Sequence, residues 1–340
     1  MQDNSSLNHA VREVFDTSGS SADFQLSICI LSYNQPEEIE RLLKSLDSQF
    51  MVGVEILIRD DSDNDETIKL SKKYSSTLPI RFFHGGKEGI DRTVLFLTKR
   101  ARGAFIWWIG DDEVAPNALP RVLEVIAGNR EINFLWANYC LVGNPSLAID
   151  LPGDQFFINR NELLAAAGAG LGFVSATIFR REIALPGLLE AENYVGTAFV
   201  NLFIILYVIT KPGKLFYLRG PIIICHNATS EEIKAVVVAS NGQINNHAFQ
   251  VFGINFSKIV RRFSNFFEPL VLQQVLKKSF HQMWRGVIVG TIGGWDTTRG
   301  KKIELFKNFH QFPECWIAII LFCLPKQVLS FLYRIYKLST

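Results

Sequence analysis

Short apolar runs and amphipathic segments alternate along the first 130 residues of the chain. Apolar runs typical of buried β-strands lie at 26–31, 54–58, 80–83 and 104–109. Apolar positions recur at helical spacing over 39–50, 67–74, 93–101 and 119–126. Because strands and helices that alternate in this way build βαβ units, the pattern predicts an α/β, Rossmann-like fold whose mostly parallel central sheet is flanked by helices.

The pattern is less regular after residue 140. It predicts a helix over 161–167, an extended segment over 173–179, an apolar helix over 198–209, and strands over 215–218 and 222–225. Residues 193–210 carry no charge, so a membrane-spanning helix is the alternative to the buried core helix that we predict there. We expect a flexible N-terminal lead over 1–24, one α/β domain over 25–230, and a helical region over 231–340.

Charge is distributed unevenly along the chain. Residues 258–340 carry 13 Lys and Arg against 4 Asp and Glu, a net +9, although the whole chain is only +2. In the last segment, Lys326, Arg334 and Lys337 fall on one helical face and apolar side chains on the other, which predicts an interfacial helix on an anionic membrane surface. The alternative is a helix docked on the protein's own core. No recognised nucleic-acid-binding motif accompanies the basic region, so we predict no nucleic-acid partner.

Two of the predicted strands end in clusters of acidic residues. The run Phe105-Ile-Trp-Trp-Ile-Gly-Asp-Asp-Glu113 ends one strand, and Asp60-Asp-Ser-Asp-Asn-Asp65 follows another. Carboxylates that are held close together repel one another unless a cation lies among them. Since the carboxyl ends of parallel strands meet at one edge of a sheet, the two clusters predict a nucleotide and metal site there.

The ordered set of motifs resembles the family 2 glycosyltransferases, whose fold is called GT-A. The matching segments are Ile30-Leu-Ser-Tyr-Asn34, Asp60-Asp-Ser-Asp-Asn-Asp-Glu-Thr67 and Ala101-Arg-Gly-Ala-Phe-Ile-Trp-Trp-Ile-Gly-Asp-Asp-Glu113. The resemblance covers about 25–225. The Trp-Trp-Ile-Gly-Asp-Asp form and the basic tail are similar to bacterial enzymes of the abequosyltransferase type, which add sugars to lipid-linked O-antigen intermediates.

This resemblance implies a donor site and a divalent cation, Mg²⁺ or Mn²⁺. The residues implied for the nucleotide are Ser32, Tyr33, Asn34, Asp60, Asp61, Arg92 and Asp111. Asp112 is implied as the best metal ligand, because a strand-end carboxylate supplies one oxygen ligand while the donor's phosphates supply others. Glu113 and His226 are further candidates for the metal. The alternatives are an acidic turn that caps the next helix, a surface role for Arg92 and a structural His226.

The catalytic base is the least defined part of the implied site. Inverting members of the family activate the acceptor hydroxyl with an acid near the start of a helix, where this chain has Tyr194-Val-Gly-Thr-Ala198. We nominate Glu192, then Glu190; the alternative is that both are solvated loop acids. Gly172, Phe173 and Ser175 are expected on the acceptor side.

The resemblance implies transfer of a sugar from a nucleotide-diphosphate sugar to a lipid-linked, polyprenyl diphosphate saccharide, with inversion. It implies a peripheral protein on the cytoplasmic face of the inner membrane. Two rival functions remain. A nucleotidyltransferase also pairs strand-end aspartates with a nucleotide, and a chain without the catalytic acid pair could be an inactive nucleotide-sugar-binding partner in an assembly complex.

Overall fold

The computed structural model describes residues 11–19, 23–226, 253–292, 299–325 and 327–332. They fall into two compact units, which cover residues 1–227 and 228–340. The first unit contains an α/β sheet with flanking helices, and the described part of the second is helical. The α/β fold and the helical C-terminal region are therefore confirmed, whereas the predicted helices over 231–252 lie outside the described residues.

The strands of the first unit form one sheet. They are β1 (Arg12–Asp16), β2 (Leu26–Ser32), β3 (Val54–Asp60), β4 (Ile80–His84), β5 (Phe105–Ile109), β6 (Glu113–Val114), β7 (Ile132–Leu141), β8 (Asn144–Leu147), β9 (Gln155–Phe157), β10 (Thr177–Arg180) and β11 (Lys214–Cys225). Among the described residues their order is β1-β4-β3-β2-β5-β10-β7-β11-β6, with β8 beside β7 and β9 beside β11.

The sheet is mixed. Strands β4, β3, β2 and β5 are parallel to one another, as βαβ units require, and β7 is parallel to β11. The pairs of β10 with β5 and β7, of β1 with β4, and of β11 with β6 and β9 are antiparallel. The predicted parallel strands therefore form one half of the sheet, and later parts of the chain extend it with antiparallel strands.

The helices of the first unit flank this sheet. They are α1 (Pro36–Asp47), α2 (Glu66–Tyr74), α3 (Ile90–Arg100), α4 (Ala118–Gly128), α5 (Arg160–Ala167), α6 (Arg181–Ala184), α7 (Leu188–Ala191) and α8 (Val200–Ile209). Helix α1 shows how the spacing of apolar residues predicts a helix. Its buried residues lie on one face and are Ile39, Leu42, Leu43 and Leu46. Its first turn contains Pro36, whose missing N–H costs nothing at that position.

Helix α8 decides between the buried core helix and the membrane-spanning helix considered for residues 193–210. It has only 10 residues, and nine of them are buried in the first unit. The buried core helix is confirmed. Within the described residues, none of the helices combines the length and the hydrophobicity that a bilayer crossing needs.

The N-terminal segment corrects one prediction. Residues 12–16, which we assigned to a flexible lead, form β1 and pair with β4. The ring of Phe15 stacks on that of Phe82 with centroids 5.6 Å apart. The Arg81 guanidinium lies 3.6 Å from Glu13 and 3.5 Å from Asp16. These contacts fix the strand, and the short run Val14-Phe15 between charged residues gives little sign of them.

Three further elements differ from the sequence pattern. β7 has no counterpart among the predicted strands, although most of it is buried. The predicted extended segment over 173–179 begins with a 3-10 turn at 174–176, and only 177–180 pair in the sheet. The two strands predicted over 215–218 and 222–225 are one strand, β11, with an irregular register between Leu218 and Ile223.

The described helices of the second unit are α9 (Phe256–Arg262), α10 (Pro269–Ile292), α11 (Arg299–Phe309) and α12 (Pro313–Phe322), and residues 327–332 are also helical. Phe280, Phe309 and Phe312 pack together, with the Phe280 and Phe309 ring centroids 5.1 Å apart. Lys326, Arg334 and Lys337, on which the interfacial helix was predicted, lie outside the described residues.

Candidate active site

The carboxyl ends of β3, β2 and β5 meet at one edge of the sheet. β2 lies between the other two strands, with Ser32 opposite Asp60 on β3 and Ile30 opposite Ile109 on β5. The acidic segments that follow β3 and β5 therefore start side by side, as we predicted.

A cavity of about 370 Å³ opens at this edge. It is lined by Leu31, Ser32, Tyr33, Gln35, Asp61, Lys87, Gly89, Ile90, Thr93, Gly110 and Asp111. Asp61 and Asp111 come from the two different acidic segments, and Tyr33 comes from the turn after β2. Ser32, Tyr33, Asp61 and Asp111 are thus the predicted nucleotide-binding residues that the structure brings to one cavity, whereas Asn34, Asp60 and Arg92 are not part of its lining.

Asp60 lies behind the cavity and is fully buried. Its Oδ1 atom accepts hydrogen bonds from Ser32 Oγ at 2.9 Å and from Ser62 Oγ at 2.6 Å. Burial raises the pKa of Asp60, although these hydrogen bonds oppose the shift. Because Asn34 N donates to Ser62 Oγ at 2.7 Å, Asp60 ties the turn after β2 to the turn after β3. This geometry supports a structural role for Asp60 behind the cavity.

Asp61 is held by a buried arginine. Arg59 Nε donates to Asp61 Oδ1 at 2.9 Å, and Arg59 Nη2 donates to Glu88 Oε2 at 2.6 Å. The other oxygen, Oδ2, accepts from Glu88 N at 3.3 Å and from Thr93 Oγ1 at 3.2 Å. Asp61 therefore joins β3, the loop after β4 and helix α3 at the cavity wall.

Lys87 is a cavity residue that the sequence analysis missed. Its Nζ atom lies 4.1 Å from the centre of the Tyr33 ring and donates to Tyr33 Oη at 3.0 Å. Lys87 belongs to His84-Gly-Gly-Lys-Glu-Gly89, the glycine-rich loop that follows parallel strand β4. A lysine in a loop at the carboxyl edge of a parallel sheet was the signal that could have indicated it.

Asp112 lies beside Asp111 but is 5% exposed. Ser175 Oγ donates to Asp112 Oδ2 at 2.5 Å and accepts from Gly110 N at 3.4 Å. Burial, opposed by the Ser175 bond and reinforced by the negative charge of Asp111, raises the pKa of Asp112 from 3.8 to about 6. Ser175, predicted on the acceptor side, therefore positions the acid that was predicted to bind the metal.

The two other predicted metal ligands contact each other. His226 Nε2 lies 2.9 Å from Glu113 Oε1, and Arg41 Nε lies 3.5 Å from the same oxygen. In the part of the chain that the structure describes, no group of three His, Cys, Asp or Glu side chains is arranged to hold a metal ion. The family resemblance implies that a cation takes ligands from the donor's phosphates as well as from the protein.

Asp111 and Asp112 fit such a shared cation site. They offer hard oxygen donors, which Mg²⁺ and Mn²⁺ prefer. The raised pKa of Asp112 results in part from the neighbouring charge of Asp111, and a bound cation would relieve that repulsion. The half-buried Asp111 lines the cavity, so of the two carboxylates it is the one exposed to a ligand there.

Neither nominated base lies among the residues that line the cavity. Glu192 is 49% exposed and accepts from Lys99 Nζ at 2.6 Å. This hydrogen bond and the charge of Lys99 lower the pKa of Glu192, which makes it a weaker base. Glu190 is half-buried on α7. Arg92 is exposed and contributes to the lowered pKa of Glu192, so the geometry does not support the predicted roles of these residues.

The predicted acceptor-side residues are in contact with α8 and the sheet. Asn201 Nδ2 donates to Gly172 O at 2.8 Å, and a Cβ atom on Gly172 would lie 2.9 Å from the Phe199 ring. A side chain at position 172 would therefore have to displace the Phe199 ring. The ring of Phe173 meets that of Tyr139 edge-on at 4.8 Å.

The family comparison agrees with this geometry. Residues 27–162 match the model of glycosyl transferase family 2, a segment that includes β2 to β5 and both acidic clusters. Residues 27–162 of this chain are therefore similar to a family 2 glycosyltransferase domain. The crystal structure of S. aureus TarS 1–349 has the same fold, with a TM-score of 0.56 at 13% identity over 88% of this chain and 81% of that chain. The fold is GT-A, as we predicted.

Curated glycosyltransferases also match this chain in sequence. Abequosyltransferase RfbV of Salmonella typhimurium is 24% identical over 220 residues, which are 59% of this chain and 66% of that protein. The Escherichia coli UDP-Glc:alpha-D-GlcNAc-diphosphoundecaprenol beta-1,3-glucosyltransferase WfgD is 28% identical over 152 residues, 44% of this chain and 58% of that protein. The chain thus spans less than two thirds of the length of these curated relatives. TarS has also been crystallised with UDP-GlcNAc, and that complex gives a TM-score of 0.52 at 15% identity over 87% of this chain and 79% of that chain.

Proposed function

We propose that this protein is a glycosyltransferase that moves a sugar from a nucleotide-diphosphate sugar to a lipid-linked saccharide. The observation on which this rests is the single cavity lined by Asp61, Asp111 and Tyr33, which derive from the ends of three adjacent strands. Its volume of about 370 Å³ is in the range of small-molecule sites.

The donor would lie in this cavity with its base beside Tyr33. An aromatic ring offers a stacking surface, and a carboxylate such as Asp61 accepts hydrogen bonds from a base N–H or from ribose hydroxyls. The complex of TarS with UDP-GlcNAc and the donor in the name of WfgD support a nucleotide-sugar donor. Lys87 supplies a positive charge next to Tyr33 that suits an anionic ligand.

Mg²⁺ or Mn²⁺ would be held by Asp111 and Asp112 together with the donor's phosphates. When bound, the cation would neutralise the charge that develops on the departing diphosphate. The side chains of the protein would orient the donor: Ser175 fixes the Asp112 carboxylate, and Arg59 fixes that of Asp61. We propose a single displacement with inversion, which NMR of the product's anomeric proton would test.

A lipid-linked acceptor, such as a polyprenyl diphosphate saccharide of O-antigen assembly, fits the second unit. Residues 258–340 have a net charge of +9, and α12 exposes Trp316, Ile317 and Ile320 by 52%, 53% and 63%. Cations and an interfacial Trp favour an anionic membrane surface. The name of WfgD, which includes diphosphoundecaprenol, supports this acceptor class. The protein would then be peripheral on the cytoplasmic face of a bacterial inner membrane.

One observation favours a second candidate, a protein that binds nucleotide sugar without turnover. The segment before α8, where family members carry an acid pair, has Gly196-Thr-Ala198, and the exposed Glu192 is paired with Lys99. Such a protein would keep the donor cavity and lack the base.

Incubation with radiolabelled nucleotide sugars, Mn²⁺ and a bacterial membrane extract distinguishes these functions. A glycosyltransferase moves label into the lipid phase. Release of sugar 1-phosphate, the leaving group when a nucleotidyl group is transferred from a nucleotide sugar, would instead indicate a nucleotidyltransferase, and tight binding without turnover would indicate the inactive partner. Asp111→Asn should reduce transfer at least about 100-fold, since it removes a charge opposite the developing diphosphate. Asp154→Asn, an exposed acid paired with Arg121, is the matched control and should transfer like the wild type.

A further inference from the structure

Asp91, a buried acid at the start of α3, makes contacts that the proposed function has not used. It is 5% exposed, and its carboxylate accepts three backbone hydrogen bonds from a segment more than 100 residues away. Oδ2 accepts from Gly196 N and from Ala198 N, both at 2.8 Å, and Oδ1 accepts from Val200 N at 3.0 Å.

The bound segment has an unusual backbone. Gly196 and Ala198 have φ values of +89° and +61°, in the left-handed region that costs a residue with a Cβ atom about 1 kcal/mol. Thr197 Oγ1 donates to Tyr194 O at 2.6 Å and accepts from Phe199 N at 3.2 Å. The side chain at the N-cap of α8, Phe199, cannot accept a hydrogen bond, so Asp91 supplies the carboxylate at this helix start.

Asp91 stands between two parts of the candidate active site. On one side its chain neighbours Gly89, Ile90 and Thr93 line the donor cavity. On the other, the first turn of α8 contacts the predicted acceptor side, where Asn201 Nδ2 donates to Gly172 O at 2.8 Å. Ser175, three residues after Gly172, contacts the proposed metal ligand, because its Oγ atom donates to Asp112 Oδ2 at 2.5 Å.

We infer that Asp91 is a positioning residue that fixes segment 196–200 against the wall of the donor cavity, so that this segment holds the acceptor saccharide in line with the donor. This inference rests on the proposed function. Asp91 is not among the residues that line the donor cavity, and its oxygens accept from the backbone N–H groups of segment 196–200. Its effect therefore falls on the orientation of the acceptor and leaves the base and ribose contacts of the donor unchanged.

Asp91→Asn tests the inference, because an amide at this position presents one N–H₂ group to backbone donors and loses the negative charge at the helix start. We expect kcat for transfer to fall about 10- to 100-fold, as misplacement of a reactant does. Calorimetry should find the donor Kd within about twofold of the wild type. The ratio of donor hydrolysis to transfer should rise, since a displaced acceptor leaves room for water.

Lys99→Gln is the matched control. It removes an exposed ion pair between α3 and the neighbouring 192–194 turn, and leaves the three hydrogen bonds between Asp91 and segment 196–200 in place. We expect its transfer rate and hydrolysis ratio to equal those of the wild type. Wild-type transfer kinetics in Asp91→Asn would overturn the inference, and so would a loss of donor affinity that accounts for the whole fall in transfer.

Thr197→Val keeps the test available if Asp91→Asn does not fold. It removes two hydrogen bonds within the segment and leaves the three bonds to Asp91 in place. We expect the same rise in the hydrolysis ratio with a smaller fall in kcat, and an unchanged ratio would contradict the inference. If the wild type does not bind the donor, the proposed function fails. If the wild type binds and transfers but the variants behave as it does, only the role of Asp91 fails.

Discussion

Arg59 is the buried cation on which the geometry of the donor cavity depends. It is 1% exposed, donates to Asp61 and Glu88, and its Nη1 atom donates to Arg92 O at 3.3 Å. A charge this deep in the protein is tolerable only because carboxylates surround it. The same pairing holds the Asp61 carboxylate, which is 3% exposed, at the cavity wall.

Arg59→Leu should therefore destabilise the protein by about 3 kcal/mol, because it leaves the Asp61 carboxylate buried without its cation. Chemical denaturation measures this change. The double variant Arg59→Leu/Asp61→Asn should be less destabilised than the sum of the single variants by about 1 kcal/mol or more, since no unpaired charge remains. Additive effects would mean that the two side chains do not interact.

Asp112 should make stability depend on pH. Its pKa is raised to about 6 in the folded protein, so the folded state binds the proton more tightly than the unfolded state does. The stabilisation that protonated Asp112 contributes is fully present below its unfolded pKa near 3.8, and it is lost as the pH rises through the folded pKa of about 6. The loss amounts to roughly 2–3 kcal/mol for this nearly buried group.

Asp112→Asn removes this titration and keeps an oxygen that accepts from Ser175. Measured in EDTA, the unfolding free energy of the variant relative to the wild type should rise between pH 4 and pH 7.5. A constant difference across this range would show that Asp112 has an ordinary pKa. Saturating Mn²⁺ should reduce the difference, because a cation favours the ionised wild-type carboxylate.

The sequence identified the acidic pairs of the site but not the roles within each pair. Asp60 and Asp61 are adjacent, and consecutive residues at a strand end point in different directions. Only packing decides that Asp60 binds Ser32 and Ser62 while Asp61 lines the cavity. The geometry does not support Glu192 as the base, and the sequence could not show this. Glu192 pairs with Lys99 only because α3 packs beside the 192–194 turn, and that contact is set by the tertiary structure.

β1 covers the β4 edge of the sheet, and Phe15 is its aromatic contact with that strand. Phe15→Ser should lower stability by about 2 kcal/mol, because it removes the half-buried ring that stacks on Phe82. It should also raise light scattering on heating, since the exposed edge of β4 is then free to pair with another chain. Arg12→Ser, an exposed change on the same strand, is the control and should stay within about 0.5 kcal/mol of the wild type. Equal stability of the two variants would show that β1 does not protect the edge.

Strands β2 to β5 could be predicted because each is a short apolar run that is followed by an amphipathic helix. β7 and β11 could not be assigned in this way. Polar Asn133 and Asn138 interrupt the apolar run of β7, and both are buried through long-range bonds, with Asn133 Nδ2 2.5 Å from Pro212 O and Asn138 Nδ2 2.7 Å from Tyr217 Oη. β11 contains Gly220 and Pro221, which indicate a turn in the sequence although the strand continues with an irregular register.

The exposed apolar side chains of the second unit predict how the whole protein meets a membrane. Trp316→Ser/Ile317→Ser/Ile320→Ser should reduce binding to phosphatidylglycerol vesicles at least about tenfold, because these side chains supply apolar area for the interface. The matched control is Val52→Ser/Ile158→Ser/Leu189→Ser, which changes three apolar residues of the first unit that are 94%, 89% and 81% exposed. Cosedimentation compares the two variants. Undiminished binding of the α12 variant would mean that α12 does not contact the membrane.

Charge should add to this binding. Since residues 258–340 have a net charge of +9, vesicles of neutral phosphatidylcholine should bind the wild type more weakly than anionic vesicles do, and added salt should narrow the gap. Deletion of 313–340 should release the protein from both kinds of vesicle. Continued sedimentation of the truncated protein would place the membrane contact elsewhere in the chain.

Calorimetric titration of the wild type, Asp61→Asn, Asp111→Asn and the Asp154→Asn control with UDP-, GDP-, CDP- and dTDP-sugars, each with and without Mn²⁺, tests the shared cavity most directly. We expect one class of nucleotide to bind, with an affinity that Mn²⁺ increases. Asp61→Asn should weaken binding about tenfold and keep the Mn²⁺ effect, since it removes a single charge-assisted contact to base or ribose. Asp111→Asn should abolish the Mn²⁺ effect, and Asp154→Asn should change neither. No heat with any donor, or an undiminished Mn²⁺ effect in Asp111→Asn, would contradict a donor and cation site formed by the ends of β3 and β5.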